Sequence, residues 1–214
     1  MTSFPTSLIS GYEAFRNQRL PTEQSRYREL SERGQSPEVM VIGCCDSRVS
    51  PEVIFDAGPG EIFVVRNVAN LVPVYEPDGG AHGVSAALEF AVQVLKVKHI
   101  VVLGHAQCGG IKAFTDKTPP LTESDFIGRW MQMFTKPGEV VEQRDHESVQ
   151  EFRTRIEKAA VFRSLENLMT FPCIKILVER GKLQLHGAYF GVADGELYVL
   201  EQDSKQFVPA LKVL

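Results

Sequence analysis

The stretch Glu38-Val39-Met40-Val41-Ile42-Gly43-Cys44-Cys45-Asp46-Ser47-Arg48-Val49-Ser50-Pro51 decides how the rest of the chain is read. A short β-branched apolar run, EVMVIG, stops abruptly at CCDSRVSP. That length and composition predict a buried strand rather than a helix. Ser50 and Pro51 then fit the cap and first-turn positions of a helix running through Val53 to Phe55.

Working outward, IFVVR (62–66) reads as a second buried strand. The segment AHGVSAALEFAVQVLKV (81–97) places Ala87, Leu88, Ala91, Val94 and Leu95 at helical spacing. HIVVLGH (99–105) is a third strand, and CGGIKAF (108–114) begins another helix. Strands that alternate with helices and read as continuous apolar runs predict an α/β fold, a mostly parallel central sheet flanked by helices. Residues 115–172 are more polar and mostly helical, with a break at Lys136-Pro137-Gly138 and a long run from His146 to Met169. LQLHGAYFGV, Asp194-Gly195 and ELYVLEQ predict a C-terminal hairpin that supplies an edge strand. Residues 1–37 hold two polar helical segments, 7–20 and 22–34, the second capped by Gly34. The expected organisation is an N-terminal helical arm (1–37) and one α/β domain (38–214).

The 214 residues carry 23 Lys and Arg against 27 Asp and Glu, a net charge of −4, and so offer no basic footprint for nucleic acid. No apolar run approaches the ~20 residues that span a bilayer, so no membrane association is expected. The start MTSFPTSLIS lacks a basic segment followed by a long apolar one, which makes the cytoplasm the expected compartment. Four cysteines are too few for a disulfide scaffold of this size.

Two of the predicted strands end in metal-ligand residues. VMVIG runs into Cys44, and IVVLG runs into His105, with Cys108 three residues later. In a parallel sheet these ends share one edge, where α/β proteins bind ligands. Two thiolates and one imidazole suit Zn²⁺ and leave a fourth tetrahedral position open, the pattern of catalytic sites. Cys45 is the nearby fourth candidate, but adjacent residues at a strand end point in different directions. Cys173 reads as a core thiol. Gly109 and Gly110 fit a backbone passing close to the metal. Asp46 and Arg48, two apart, face the same side and can pair. A lone Asp-x-Arg is usually an ordinary salt bridge. Beside an open zinc position, Asp46 can instead accept a hydrogen bond from zinc-bound hydroxide while Arg48 holds it off the metal.

Taken together, CCDSRVSP, FVVRNVANLV (63–72) and GHAQCGGIKA (104–113), and more loosely LHGAYFGVADGELYVL (185–200), resemble the β-class carbonic anhydrases, closest to the plant-type branch. The resemblance implies one Zn²⁺ per subunit on Cys44, His105 and Cys108, and an Asp46–Arg48 dyad. The activity it implies is the reversible hydration of CO₂ to bicarbonate. It also implies a homodimer or higher oligomer with the site at the interface, and a substrate pocket of Gln35, Phe63, Val68, Phe90 and Gly109. Phe90 stands where plant-type members have tyrosine, and Val94 where they have a histidine discussed as a proton relay. A stronger dependence on external buffer is therefore expected. A second branch binds bicarbonate through tryptophan, arginine and tyrosine at the positions of Val41, Arg66 and Phe190. With only the arginine kept, a site open at neutral pH is expected, and Arg66 takes a structural role.

Two alternatives stand beside this reading. One is a zinc hydrolase of carbon disulfide or carbonyl sulfide, and the other a non-catalytic zinc or thiol module closed by Cys45. The intact dyad favours the catalytic readings.

Overall fold

The computed structural model describes residues 4–136 and 139–212, in two compact units, Met1–Ser36 and Pro37–Leu214. Two residues of the sequence-predicted break, Pro137 and Gly138, lie outside the described residues. In the first unit α1 (Thr6–Ala14) continues through a π-helical turn (Phe15–Arg19) into α2 (Leu20–Arg33). The two expected segments are thus contiguous, and Pro21, which cannot donate to the preceding turn, stands just after the π-helical irregularity. Gly34 ends the run at φ 77°. No residue of α1 or α2 is buried.

The second unit follows the order β1 (Val39–Cys44), α3 (Pro51–Ile54), β2 (Ile62–Asn67), α4 (Gly83–Glu89), β3 (His99–His105), α5 (Gly109–Thr115), α6 (Phe126–Gln132), α7 (Val149–Leu168), α8 (Pro172–Glu179), β4 (Gln184–Phe190), β5 (Leu197–Leu200) and β6 (Phe207–Pro209). A π-helical turn, Phe90–Leu95, extends α4. Ser50 occupies the cap position of α3, but its hydroxyl donates to Glu52 instead of accepting from the backbone. The six strands form one sheet in the order β2-β1-β3-β4-β5-β6. The first four are mutually parallel and the last two antiparallel. The expected hairpin is β4–β5, and β6 adds an outer strand too short for its alternation to be read from sequence. Among the described residues, no helix is long and apolar enough to cross a membrane.

Side-chain alternation divides the sheet residues. Met40, Ile42, Ile100 and Val102 face a core completed by Val84, Leu88, Val161, Leu168 and Ile174 of α4, α7 and α8. Val41, Leu103 and Ala188 form a second cluster. Parallel strands buried on both faces need apolar side chains at every position, which is why these runs are continuous.

Helix α7 begins with a capping box between Ser148 and Glu151 and lies against β3 and β4. Its Val161 fits a slot left by two glycines. A Cβ on Gly104 would stand 2.7 Å from Val161 Cγ2, and one on Gly187 3.0 Å from Val161 Cγ1. Three buried polar side chains of α7, Glu157, Ser164 and Asn167, serve the loops at the sheet edge. Residues 69–72 are buried, so their backbone groups need partners. Ser164 Oγ donates to the Asn70 carbonyl at 2.9 Å and accepts from the Val72 N–H, and Asn167 Nδ2 donates to the Val72 carbonyl at 2.7 Å.

Candidate metal centre

Cys44 is the last residue of β1 and His105 the last of β3, its neighbour in the sheet, while Cys108 caps α5. All three are buried, and their donor atoms lie within 4.8 Å of one another, the two sulfurs 4.0 Å apart. Among the described residues no other such group converges.

The local chain presents each donor. His105 Nδ1–H donates to the Ala106 carbonyl at 2.9 Å, which leaves Nε2 bare; that atom is buried and has no hydrogen-bond partner. The backbone amides of Asp46 and Ala69 favour charge on Cys44, and those of Ile111 and Gly110 favour charge on Cys108. The paired sulfurs divide their protons. Hydrogen bonding from Cys108 drives the Cys44 thiol pKa down, and the same contact together with burial drives that of Cys108 up. Burial opposes charge on His105, but the nearby Cys44 sulfur and the Ala106 carbonyl together outweigh it and raise the imidazole pKa. Two sulfurs and an unpartnered ring nitrogen, all desolvated, fit a borderline-soft cation better than they fit one another.

Gly110 makes the close approach: its Cβ would meet Val68 Cγ1 at 2.7 Å and Ala69 Cβ at 3.2 Å. Gly109, expected to share that role, has open space where a Cβ would stand and is exposed.

Asp46 and Arg48 pair closely, through a turn and not through the extended alternation expected. The Arg48 N–H and Nε–H both donate to Asp46 Oδ1, at 3.0 and 2.9 Å, and Nη2 donates to Oδ2 at 2.7 Å. Arg48 hydrogen bonding, against a smaller burial effect, holds the Asp46 carboxyl well below the usual carboxylate range. Arg48 Nη2 also donates to the carbonyl of Gln107, a residue at φ 57°, and so ties the two ligand-bearing loops together. Arg66 braces the first loop from beneath, donating to the carbonyls of Cys44 at 2.8 Å and Asp46 at 2.7 Å.

The remaining expected residues are dispersed. Val68 packs in the apolar cluster that contains Cys44 and Cys108. Phe63 is in register with Met40, four residues before Cys44, which puts it about 13 Å down the strand at ~3.3 Å per residue. Phe90 stacks on Phe63, ring centroids 5.9 Å apart, and is 44% exposed. Gln35 belongs to the first compact unit. Cys45 is exposed and outside the converging group. Phe190 is the register partner of His105. Trp130 packs in α6 and donates its indole N–H to the Val68 carbonyl at 2.7 Å.

One residue at the site was not anticipated. Glu157 of α7 is buried; its Oε1 accepts from the Cys108 N–H at 3.1 Å and its Oε2 from the Tyr189 hydroxyl at 2.6 Å. Burial pushes the Glu157 pKa up, only partly opposed by these hydrogen bonds. The available signal was its place between Ile156 and Ala160–Val161, on the apolar stripe of a helix in which most charges face out.

A family model described as carbonic anhydrase matches residues 39–197. Beta carbonic anhydrase 3 of Arabidopsis thaliana is 37% identical over 200 residues, 92% of this chain and 76% of that protein. The solved structure of the beta-carbonic anhydrase CcaA superposes with a TM-score of 0.85 at 27% identity, covering 95% of this chain and 91% of the other. One of two tetrameric beta-carbonic anhydrases from Sordaria macrospora gives a TM-score of 0.68 at 29% identity, covering 91% and 92% of the two chains.

Proposed function

The chain belongs to the β-carbonic anhydrase family, and on that premise we propose that it interconverts CO₂ and bicarbonate at a Zn²⁺ held by Cys44, His105 and Cys108. The observation that carries the metal reading is the convergence of two buried sulfurs on a buried, unpartnered His105 Nε2. When bound, zinc supplies a Lewis acid that lowers the pKa of water from about 15.7 toward about 7.

The chain's own residues supply the rest. Asp46 stays an ionised acceptor because Arg48 engages both its oxygens, and its remaining lone pairs orient the proton of the attacking water. Arg48 keeps that carboxylate turned from the sulfurs. Both Asp46 oxygens are held by Arg48, which supports a site open at neutral pH. The Val68 side chain gives an apolar wall for an apolar substrate, and the open space over Gly109 leaves room for it. Val94 is exposed and cannot carry a proton, so proton export falls to external buffer.

Phe63 lies about 13 Å down the strand from the level of Cys44 and Phe90 packs on it, and neither belongs to the apolar cluster around Cys44 and Cys108 within one chain. If they line a substrate pocket, it is one completed by a second copy, and the exposed Phe90 and Val94 supply an apolar contact for it. We therefore infer a homo-oligomer, a reading supported by the tetrameric relatives. The exposure of Cys45 argues against a closed four-ligand module. The cytoplasm remains the proposed compartment.

Stopped-flow CO₂ hydration on metal-quantified protein tests the function, with carbon disulfide and carbonyl sulfide run in parallel. The expected result is one zinc per chain, hydration of CO₂, and loss of both in Cys108→Ser. Full zinc occupancy without CO₂ hydration would overturn the proposed activity, and zinc retention in Cys108→Ser would overturn the ligand set.

A further inference from the structure

Glu157 has no part in the chemistry above, yet it is built into the centre more firmly than any other acid. It is 2% exposed, and a buried carboxylate persists only where its oxygens are satisfied. Both are, by donors. The Cys108 N–H reaches Oε1 and the Tyr189 hydroxyl reaches Oε2, so the ionised form is matched on each side.

The contact falls where it controls a sulfur. Cys108 is the N-cap residue of α5, and its buried sulfur hangs from the Cα that this backbone contact holds. Fixing the Cys108 backbone therefore fixes where the sulfur stands relative to Cys44 Sγ, 4.0 Å away. Tyr189 holds the carboxylate from β4, where it is the register partner of Gly104, next to His105. Lys158 Nζ lies 5.3 Å from the ring centroid of Tyr189, and helps keep that ring in place.

We propose that Glu157 is a positioning residue of the metal centre: it anchors Cys108 through the backbone N–H, with Tyr189 locking its other oxygen, and so sets ligand geometry and electron donation by the thiolate. The proposal rests on the metal reading of Cys44, His105 and Cys108.

The test uses the full chain loaded with zinc or with Co²⁺. Transfer of zinc to a chromogenic chelator gives a release rate, and the thiolate-to-cobalt absorption band reports the sulfur's electronic environment without reference to activity. Glu157→Gln keeps the shape and one acceptor but loses the charge. It is expected to release zinc about 10–100 times faster and to move the band. Tyr189→Phe should do the same to a smaller degree. Wild-type release rates with an unmoved band in both variants overturn the proposal. Faster release with an unmoved band also overturns it, because that is what loss of packing alone would give. If Glu157→Gln does not fold, Tyr189→Phe decides by the same two readouts. A wild-type chain that takes up no zinc overturns the metal reading and this proposal with it, an outcome distinct from normal uptake with unchanged variants.

Discussion

The loop after β1 and the middle of α7 each bring a carboxylate to the same three donors, and the two acids are treated in opposite ways. Asp46 lies two residues from Cys44, with its side chain 18% exposed and a guanidinium across both oxygens, and its pKa is driven down. Glu157 comes from 49 residues beyond Cys108, is buried and meets only uncharged donors, and its pKa is driven up. What separates them is partner and solvent, since the two side chains carry the same functional group. The solvent-facing acid is free to act on a substrate. The buried one can only hold something still.

Mutations test that division, the most damaging first. Cys108→Ser removes the atom that both regions serve, and CO₂ hydration should fall to the uncatalysed background with zinc no longer retained, as measured by stopped flow and metal analysis. Asp46→Asn should separate the regions: zinc stays bound while kcat falls about 10²–10⁴-fold, the scale of a lost proton-handling group. Loss of zinc in that variant would make Asp46 a structural acid like Glu157, and the contrast would collapse. Arg48→Ala should cost about 10–100-fold in kcat/KM, since both the Asp46 clamp and the Gln107 tie go with it. Arg48→Lys should not restore it, because an ammonium cannot reproduce the forked contact.

A smaller effect concerns proton export. Glu157 is sealed in and Val94 carries no proton, so turnover should rise several-fold as buffer concentration is raised at constant pH and ionic strength. Equal rates in dilute and concentrated buffer would mean that a group of the chain itself carries the proton out.

The smallest effect asks whether partner or location governs. Glu147, just before α7, faces Arg155 through two hydrogen bonds of 2.7 and 2.8 Å, and its pKa is lowered to about 2. A lowered folded-state pKa gives stability that is complete above the unfolded value, about 4.5, and is lost as pH falls through about 2. Urea unfolding of wild type and Glu147→Gln should therefore differ most above pH 5 and converge toward pH 2. A gap independent of pH would remove the ion pair as its cause.

The parallel sheet, and the meeting of Cys44, His105 and Cys108 at one edge of it, were legible because parallel strands end on the same edge whatever their separation in sequence. The Asp46–Arg48 pair was legible because it is local, although a turn makes it. Glu157 was not, because a glutamate in a charged run such as RIEK gives no sign of which loop its helix crosses. The distance from Phe63 to the cluster was likewise invisible until the register with Met40 set it. Strand β6 was missed because three residues are too few to display alternation.

The slot made by Gly104 and Gly187 carries the last consequence. Val161 seats there, and Glu157 stands one helical turn before it on the same face of α7. The reach of that carboxylate to Cys108 is therefore metered by two hydrogen atoms on neighbouring strands. A methyl group at either glycine would shim the helix away from the sheet and slacken the grip on a ligand, with every charged and sulfur-bearing residue of the centre still in the sequence. Inheritance of the centre thus includes two positions whose contribution is to be empty.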